Sequence, residues 1–200
     1  MARYRVGLET RERILSATRR LLSEVGIEGV TLKAITDQAS VGAGSFYNLF
    51  GSKEEAVFEV VREAIEAVDP DPEGEGTDTL PDLVDAFVTF FTDSRPIARI
   101  YLQLALARGM TDRHVAVRVA RSHQARVERF ADAWQRHEPG IDAEEAEARA
   151  ETMVATLMGL GLNALVDPTY DLRGLAGRLL PTGTSVPTSG GSLRGASGHR

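Results

Sequence analysis

Few side chains in this sequence are placed for catalysis. It has no cysteine, which removes disulfides, thiolate nucleophiles and Cys-based metal sites. The four histidines, His114, His123, His137 and His199, form neither an HExxH nor a Glu-x-x-His pattern, so no metal site is expected. No serine stands in a nucleophile elbow, and no glycine-rich loop follows a strand, so acyl transfer and phosphate cradling lack a basis. Gly159 and Gly161 fall inside a helical segment and bind no phosphate. His123 is the one histidine of interest. It joins Val119, Val127, Phe130 and Trp134 in a stripe along one helix, either as a core histidine or as a ligand contact. No cofactor is expected.

A different chemistry is open to residues 42–48. Gly42, Ala43, Gly44 and Ser45 are small, so the backbone there can approach another molecule closely. Phe46 and Phe50 lie four apart and can anchor a short helix, while Tyr47 and Asn48 point elsewhere, available to a phosphate or a base edge. The charge is divided in a way that suits this. Residues 1–53 carry eight Lys/Arg against five Asp/Glu, a net +3, and the rest carries fifteen against twenty-four, a net −9, within a total of −6. Binding to a polyanion depends on the local face and not on the whole-chain sum.

The elements that must position these residues all read as helix, since no segment alternates apolar and polar residues. The first runs from about Thr10 to Val25, with Ile14, Leu15, Thr18, Leu21, Leu22 and Val25 on one face and Gly26 as its stop. Thr31 caps a short second helix ending near Ala39. A break at Ser40–Gly42 leads into a third, Ala43 to Phe50. Ser52 with Glu55 makes a capping box for a fourth, which fades at Val68. The acidic, Pro- and Gly-rich stretch 69–79 is expected to be a flexible loop. Helices follow over Leu80–Asp93, from a bend at Pro96 to Arg108, and from Thr111 to about His137, whose arginines read as a solvated surface. Asp142 with Glu145 opens a further helix to Val166, and 171–180 is a last short one. The longest apolar run, Met153–Val166, is shorter than the roughly 20 residues of a membrane span. With an N-terminus that offers no apolar stretch of the secretory kind, a cytoplasmic protein without membrane contact is expected.

Three short helices with a tight break between the second and third outline a helix-turn-helix, although any small three-helix unit gives a similar pattern. Residues 10–57 go further, because they resemble the head of the TetR family of repressors. The resemblance rests on the Ile14–Leu15 pair, the Glu24-to-Gly26 stop, Thr31, Val41, Gly44, the Phe46–Tyr47 pair, Phe50 and the Ser-Lys-Glu of 52–54. It implies an all-α protein with a helix-turn-helix head (1–53) and a helical effector-binding and dimerisation body (54–180), while the low-complexity composition from Pro181 onward predicts a disordered tail (181–200). It implies double-stranded operator DNA as partner. Thr31, Lys33, Tyr47 and Lys53 would meet phosphates, Ala43, Gly44 and Ser45 would face bases, and Asn48 would reach a base or the backbone. Ser40, Gly42 and Leu49 depart from the family's usual Gly, Ser/Thr and polar residues, so the operator does not follow by analogy. The basic arm at Arg3 and Arg5 is either a minor-groove contact or a solvated tail.

In the body, a small apolar or aromatic effector is expected among Phe87, Phe91, Tyr101, Gln103, Met110, His123 and Trp134, each of which core packing explains equally well. Ala155, Gly159 and Asn163, spaced four apart with Leu162 beside them, line a helix that can pack a partner closely. The resemblance makes this face part of a homodimer interface, and burial in the monomer core is the alternative. Two rival readings remain. A helical enzyme would need converging acids, bases or metal ligands, and a protein-binding adaptor would leave Lys33, Tyr47 and Lys53 without a task.

Overall fold

The computed structural model describes residues 2–184, with side chains from Arg5 onward. Among these residues helix is the regular structure present, with no strand. The expected tail lies outside the described residues from 185 on.

Helix α1 is continuous over Ala2–Gly29 except at Gly26, whose φ of 66° with ψ of 178° is open only to glycine. The helix proper therefore stops after Val25. Val25 is exposed, contrary to its place on the predicted apolar face, because the chain turns at Gly26 and puts Ile27 into the core instead. Residues 2–10 are helical too, so α1 begins well before the expected start near Thr10. Helix α2 (Leu32–Ala39) starts at Thr31, whose hydroxyl accepts the Ala34 N–H at 3.1 Å. Ser40 ends it in the left-handed conformation, with φ 53° and ψ 49°. Helix α3 is only Ala43–Tyr47. Asn48 and Leu49 form a turn that still brings Phe50 under Phe46. Helix α4 (Lys53–Glu66) begins at Ser52, which accepts the Glu55 N–H. Glu55 returns a bond to the Gly51 N–H at 2.6 Å, one residue earlier than a reciprocal capping box requires.

The head's core is made by Ile14, Leu15, Leu22, Ile35, Phe46 and Val57, all fully buried. Each such side chain stabilises the fold by about 1.5–3 kcal/mol relative to exposure. Val57 belongs to α4, so the fourth helix closes the core of the first three.

The body is built from α5 (Leu80–Asp93), α6 (Arg95–Gln103), α7 (Arg113–His137), α8 (Ala143–Val166) and α9 (Leu172–Gly177). A π-helical turn, Leu104–Arg108, extends α6, so this helix ends earlier than expected. Helices α7 and α8 pack side by side as a hairpin, α5 lies against both, and α6 contacts α1 and α4 on one side and the body on the other.

The loop 67–79 is not the flexible connection its composition suggests. Asp69 takes two bonds from the Arg129 guanidinium, at 2.9 and 2.5 Å. Asp78, with its side chain only 2% exposed, accepts from Arg129 Nε and, at 2.6 Å, from Arg136 Nη2. Asp71 accepts the Glu75 and Gly76 N–H groups at 2.9 and 2.6 Å. Two arginines of α7 thus hold the loop against the body, and the expectation that α7's arginines are a solvated face fails at both. It fails also at Arg118, which lies over the Phe58 ring at 5.1 Å and 3.8 Å from Glu59.

Candidate nucleic-acid interface and ligand cavity

The residues expected to meet DNA fall on one end of the head, around α2, α3 and the start of α4. Ala43, Gly44, Ser45 and Asn48 are exposed, and Tyr47 is 57% exposed with its ring edge-on to Phe46. A Cβ added to Gly42 or Gly44 would meet nothing within 4 Å. Head packing therefore does not require these glycines, which leaves their small size as a property of the outer surface. Thr31 is exposed while its hydroxyl serves as the α2 cap. Lys33 is exposed and pairs with Asp37 one turn on, at 2.5 Å. Its pKa is raised by that hydrogen bond and by the same carboxylate's charge. Lys53 is half-buried and donates to the Val30 carbonyl at 2.9 Å, which ties the α4 N-terminus to the entrance of α2. Two of its three ammonium protons remain for an outside acceptor.

The head's formal +3 is distributed less simply than residue counting suggests. Arg11 pairs with Glu59 and, at 3.7 Å, with Glu63, and Arg19 lies 2.5 Å from Glu63. Glu59 is held below the usual carboxylate range, chiefly by the Arg62 hydrogen bonds and further by the charges of Arg11 and Arg118. Arg11 and Arg19 join α1 to α4 and are not free counter-ions for a polyanion.

The body encloses a cavity of about 320 Å³, within the range of small-molecule sites. Its floor is apolar, with Leu83, Phe87, Phe90 and Phe91 from α5 and Phe130 from α7. Phe87 and Phe91 stack at 4.6 Å between ring centroids. Ile65 closes the end nearest the head, and Tyr101 and Met158 enter from α6 and α8. Asp69, Ser122, Arg126 and Arg129 supply the polar wall.

Of the seven residues expected around an effector, Phe87, Phe91 and Tyr101 line this cavity and four do not. Gln103 is exposed, and Met110 is 79% exposed beyond the π-helical turn. His123 is half-buried on the flank of α7, with Nε2 3.0 Å from Glu151, which fits neither the core nor the ligand alternative. Trp134 is buried beneath the Arg149 guanidinium, away from the cavity. Ser122, Ala125, Arg126, Arg129 and Phe130 line the cavity as well and are not among the seven, although they share α7 with His123 and Trp134. Their spacing along α7 is the 3-and-4 pattern of a single face, a signal passed over because the arginines read as solvated.

Ala155, Gly159, Leu162 and Asn163 are all exposed on α8, and a Cβ on Gly159 would meet nothing within 4 Å. None of the four belongs to the core of the single chain. Among the described residues no helix is long and apolar enough to cross a membrane, and no group of three His, Asp or Glu side chains could hold a metal.

The comparisons with known proteins fall on the same two parts. The model of the bacterial regulatory proteins of the tetR family matches residues 14–60, from the middle of α1 into α4. Over these residues the chain is similar to the DNA-binding head of that family. Over 52 residues it is 40% identical to an uncharacterized HTH-type transcriptional regulator in the lacX 3′ region of Lactococcus lactis subsp. lactis. That match spans 26% of this chain and 26% of the relative, so about a quarter of the curated protein is covered. Beyond the head, the resemblance is one of fold. A TetR-family regulator from Rhodococcus sp., 22% identical, superposes with a TM-score of 0.63 over 86% of this chain and 96% of its own. SmeT, the repressor of the Stenotrophomonas maltophilia multidrug efflux pump SmeDEF, is 21% identical with a TM-score of 0.61, over 86% of this chain and 88% of its own. All three are named as regulators of transcription.

Proposed function

We propose that the chain is a homodimeric transcriptional repressor that holds operator DNA with residues 31–53 and releases it when a small molecule fills the body cavity. The observation that carries this reading is the placement of α4. Its first residue, Lys53, stands at the exposed end of the head, and Ile65 near its last turn forms the cavity wall. At about 1.5 Å per residue the 14-residue helix spans roughly 20 Å, so a ligand that displaces Ile65 moves a rigid rod ending beside the recognition helix. Two further contacts tie α4 to the body, Arg108 to Glu54 at 3.7 Å and Arg118 to Glu59 at 3.8 Å.

Residues 1–53 carry DNA contact in this reading, and residues 54–180 carry effector binding and pairing of two chains through the exposed face of α8. The pairing matters because two recognition helices must sit about one DNA turn apart, roughly 34–36 Å, to read two half-sites together. A ligand that prefers the incompetent arrangement by about 3 kcal/mol weakens operator binding over a hundredfold, and operator weakens ligand binding by the same factor. That SmeT is a repressor of a multidrug efflux pump supports repression as the mode of action.

The test is fluorescence anisotropy with the DNA upstream of the chain's own gene, against random duplex across a salt series. Asn48→Ala should cost about 1–3 kcal/mol on the cognate site alone. Lys53→Ala should weaken both duplexes alike and flatten the salt slope by about one unit. Equal affinity of the wild type for the two duplexes at every salt concentration would overturn the reading.

A further inference from the structure

We propose that the cavity selects an amphipathic acid, a ligand with an apolar or aromatic body and one anionic head, and that Arg126 binds the head. This rests on the reading of the cavity as an effector site and narrows it to a ligand class. Arg126 is half-buried on the cavity wall, with its guanidinium 5.8 Å from the centroid of the Tyr101 ring. Its hydrogen-bond partners are both neutral, the Tyr101 hydroxyl at 3.3 Å and Met158 Sδ at 3.9 Å. No carboxylate of the described residues lies within 4.0 Å of it, whereas Arg118, Arg129 and Arg136 on the same helix each have one. A guanidinium has five N–H donors, and a planar carboxylate is the acceptor that takes two of them at once. Arg126 is therefore the charge of the cavity wall that the fold leaves uncompensated.

The other charged groups on the wall exclude the opposite choice. Asp69 is the lining residue that could attract an amine, and both of its oxygens are engaged by Arg129. That hydrogen bonding is the main reason its carboxyl is held below the ordinary aspartate range. A cationic ligand would have to break this pair or place its charge beside Arg126. An anionic one meets Arg126 directly. Two hydroxyls stand next to it: Ser122, one turn earlier on α7, and Tyr101, whose proton has no acceptor among the described residues. Both can donate to the same head. The phenyl groups of α5 and Phe130 then receive the body, and 320 Å³ is room for about ten water-sized groups.

The experiment is calorimetric titration of the full chain, without DNA, with three probes that share one body: 4-phenylbutyrate, 4-phenylbutanol and 4-phenylbutylamine. The acid should bind wild type about tenfold or more tighter than the alcohol, and the amine should bind weakest. Arg126→Met should bring the acid down to the alcohol's affinity while leaving the alcohol unchanged, and Arg126→Lys should restore part of the difference. The proposal is overturned if none of the three binds, if the alcohol or amine binds as tightly as the acid, or if a folded Arg126→Met chain keeps its preference for the acid. The wild-type comparison decides even where the variant does not fold. A chain that binds the acid and still holds operator DNA keeps this assignment and loses release as its function, so the two failures are told apart.

Discussion

Gly161 on α8 faces Phe91 so closely that a single methyl group tests the packing of the cavity floor. A Cβ at Gly161 would lie 2.6, 2.7 and 2.8 Å from three carbons of the Phe91 ring, where about 3.5–4.0 Å is comfortable. The ring must therefore shift by about 1 Å. It is buried, stacked on Phe87 and edge-on to Phe90 at 5.5 Å, so it has no free direction except the cavity. Overpacking of this kind costs about 1–3 kcal/mol. Against that, alanine is favoured over glycine inside a helix by about 1 kcal/mol. Gly161→Ala should therefore lose about 1 kcal/mol net, which lowers Tm by about 3 °C in a chain of this size. The displaced ring also takes space from a ligand, so affinity for 4-phenylbutyrate should fall several-fold. Scanning calorimetry and titration measure the two effects. A Tm that rises by the full helix gain, with unchanged probe affinity, would refute the claim that Phe91 is held rigidly between α5 and α8.

Three further outcomes follow from the same kind of argument. Ser40 holds a left-handed conformation that costs a non-glycine residue about 1–2 kcal/mol, offset by about 0.4–1 kcal/mol of extra unfolded-state entropy for glycine. Ser40→Gly should raise the unfolding free energy measured in urea by up to about 1 kcal/mol, and a fall would mean that the serine side chain stabilises the turn. Gly159→Leu should leave the single chain folded, because the site is open, yet shift sedimentation toward monomer if α8 pairs two chains. A mutant that sediments as wild type removes α8's exposed face from the interface. Asp69 and Asp71 have depressed pKa values, through Arg129 for the first and backbone N–H groups for the second. Their contribution is fully present above the ordinary aspartate pKa near 4 and is lost as pH falls through the lower folded value. Protection of the Glu75 and Gly76 amides, corrected for intrinsic exchange, should hold above about pH 4 and drop as the pH is lowered further. Unchanged protection would show that Asp71 does not order the loop.

Several local signals in the sequence hold because the governing contact is also local. Thr31, Ser52 and Asp142 cap their helices through bonds three residues on, and Gly26 stops α1 by its own backbone angles. The Phe46–Phe50 anchor of α3 is of the same kind. What composition hid depends on partners far along the chain. The loop 69–79 reads as mobile because it is acidic and rich in Pro and Gly, yet Arg129, which holds it, stands 60 residues from Asp69 and 51 from Asp78. Lys53 reads as a free surface cation until Val30, 23 residues earlier, is found to accept from it. The division of α7's arginines is likewise invisible in one dimension. A guanidinium on a helix has the same spacing whether it meets a carboxylate, an aromatic ring or an empty wall.

The joining of α1 to α4 has a consequence for how such chains could exchange parts. Arg11 and Arg19 reach across to Glu59 and Glu63, and Val57, Val60 and Val61 are buried in α4. A head cut at residue 53 would uncover the apolar face of α1 and leave both arginines without their acids. A head that could be traded between bodies must therefore extend through Glu66. Any new body must then offer a pair of cations spaced like Arg129 and Arg136 to receive the aspartates that follow. Recombination between relatives should succeed most readily when the crossover lies just after Glu66, so that the loop 67–79 and α7 come from the same parent.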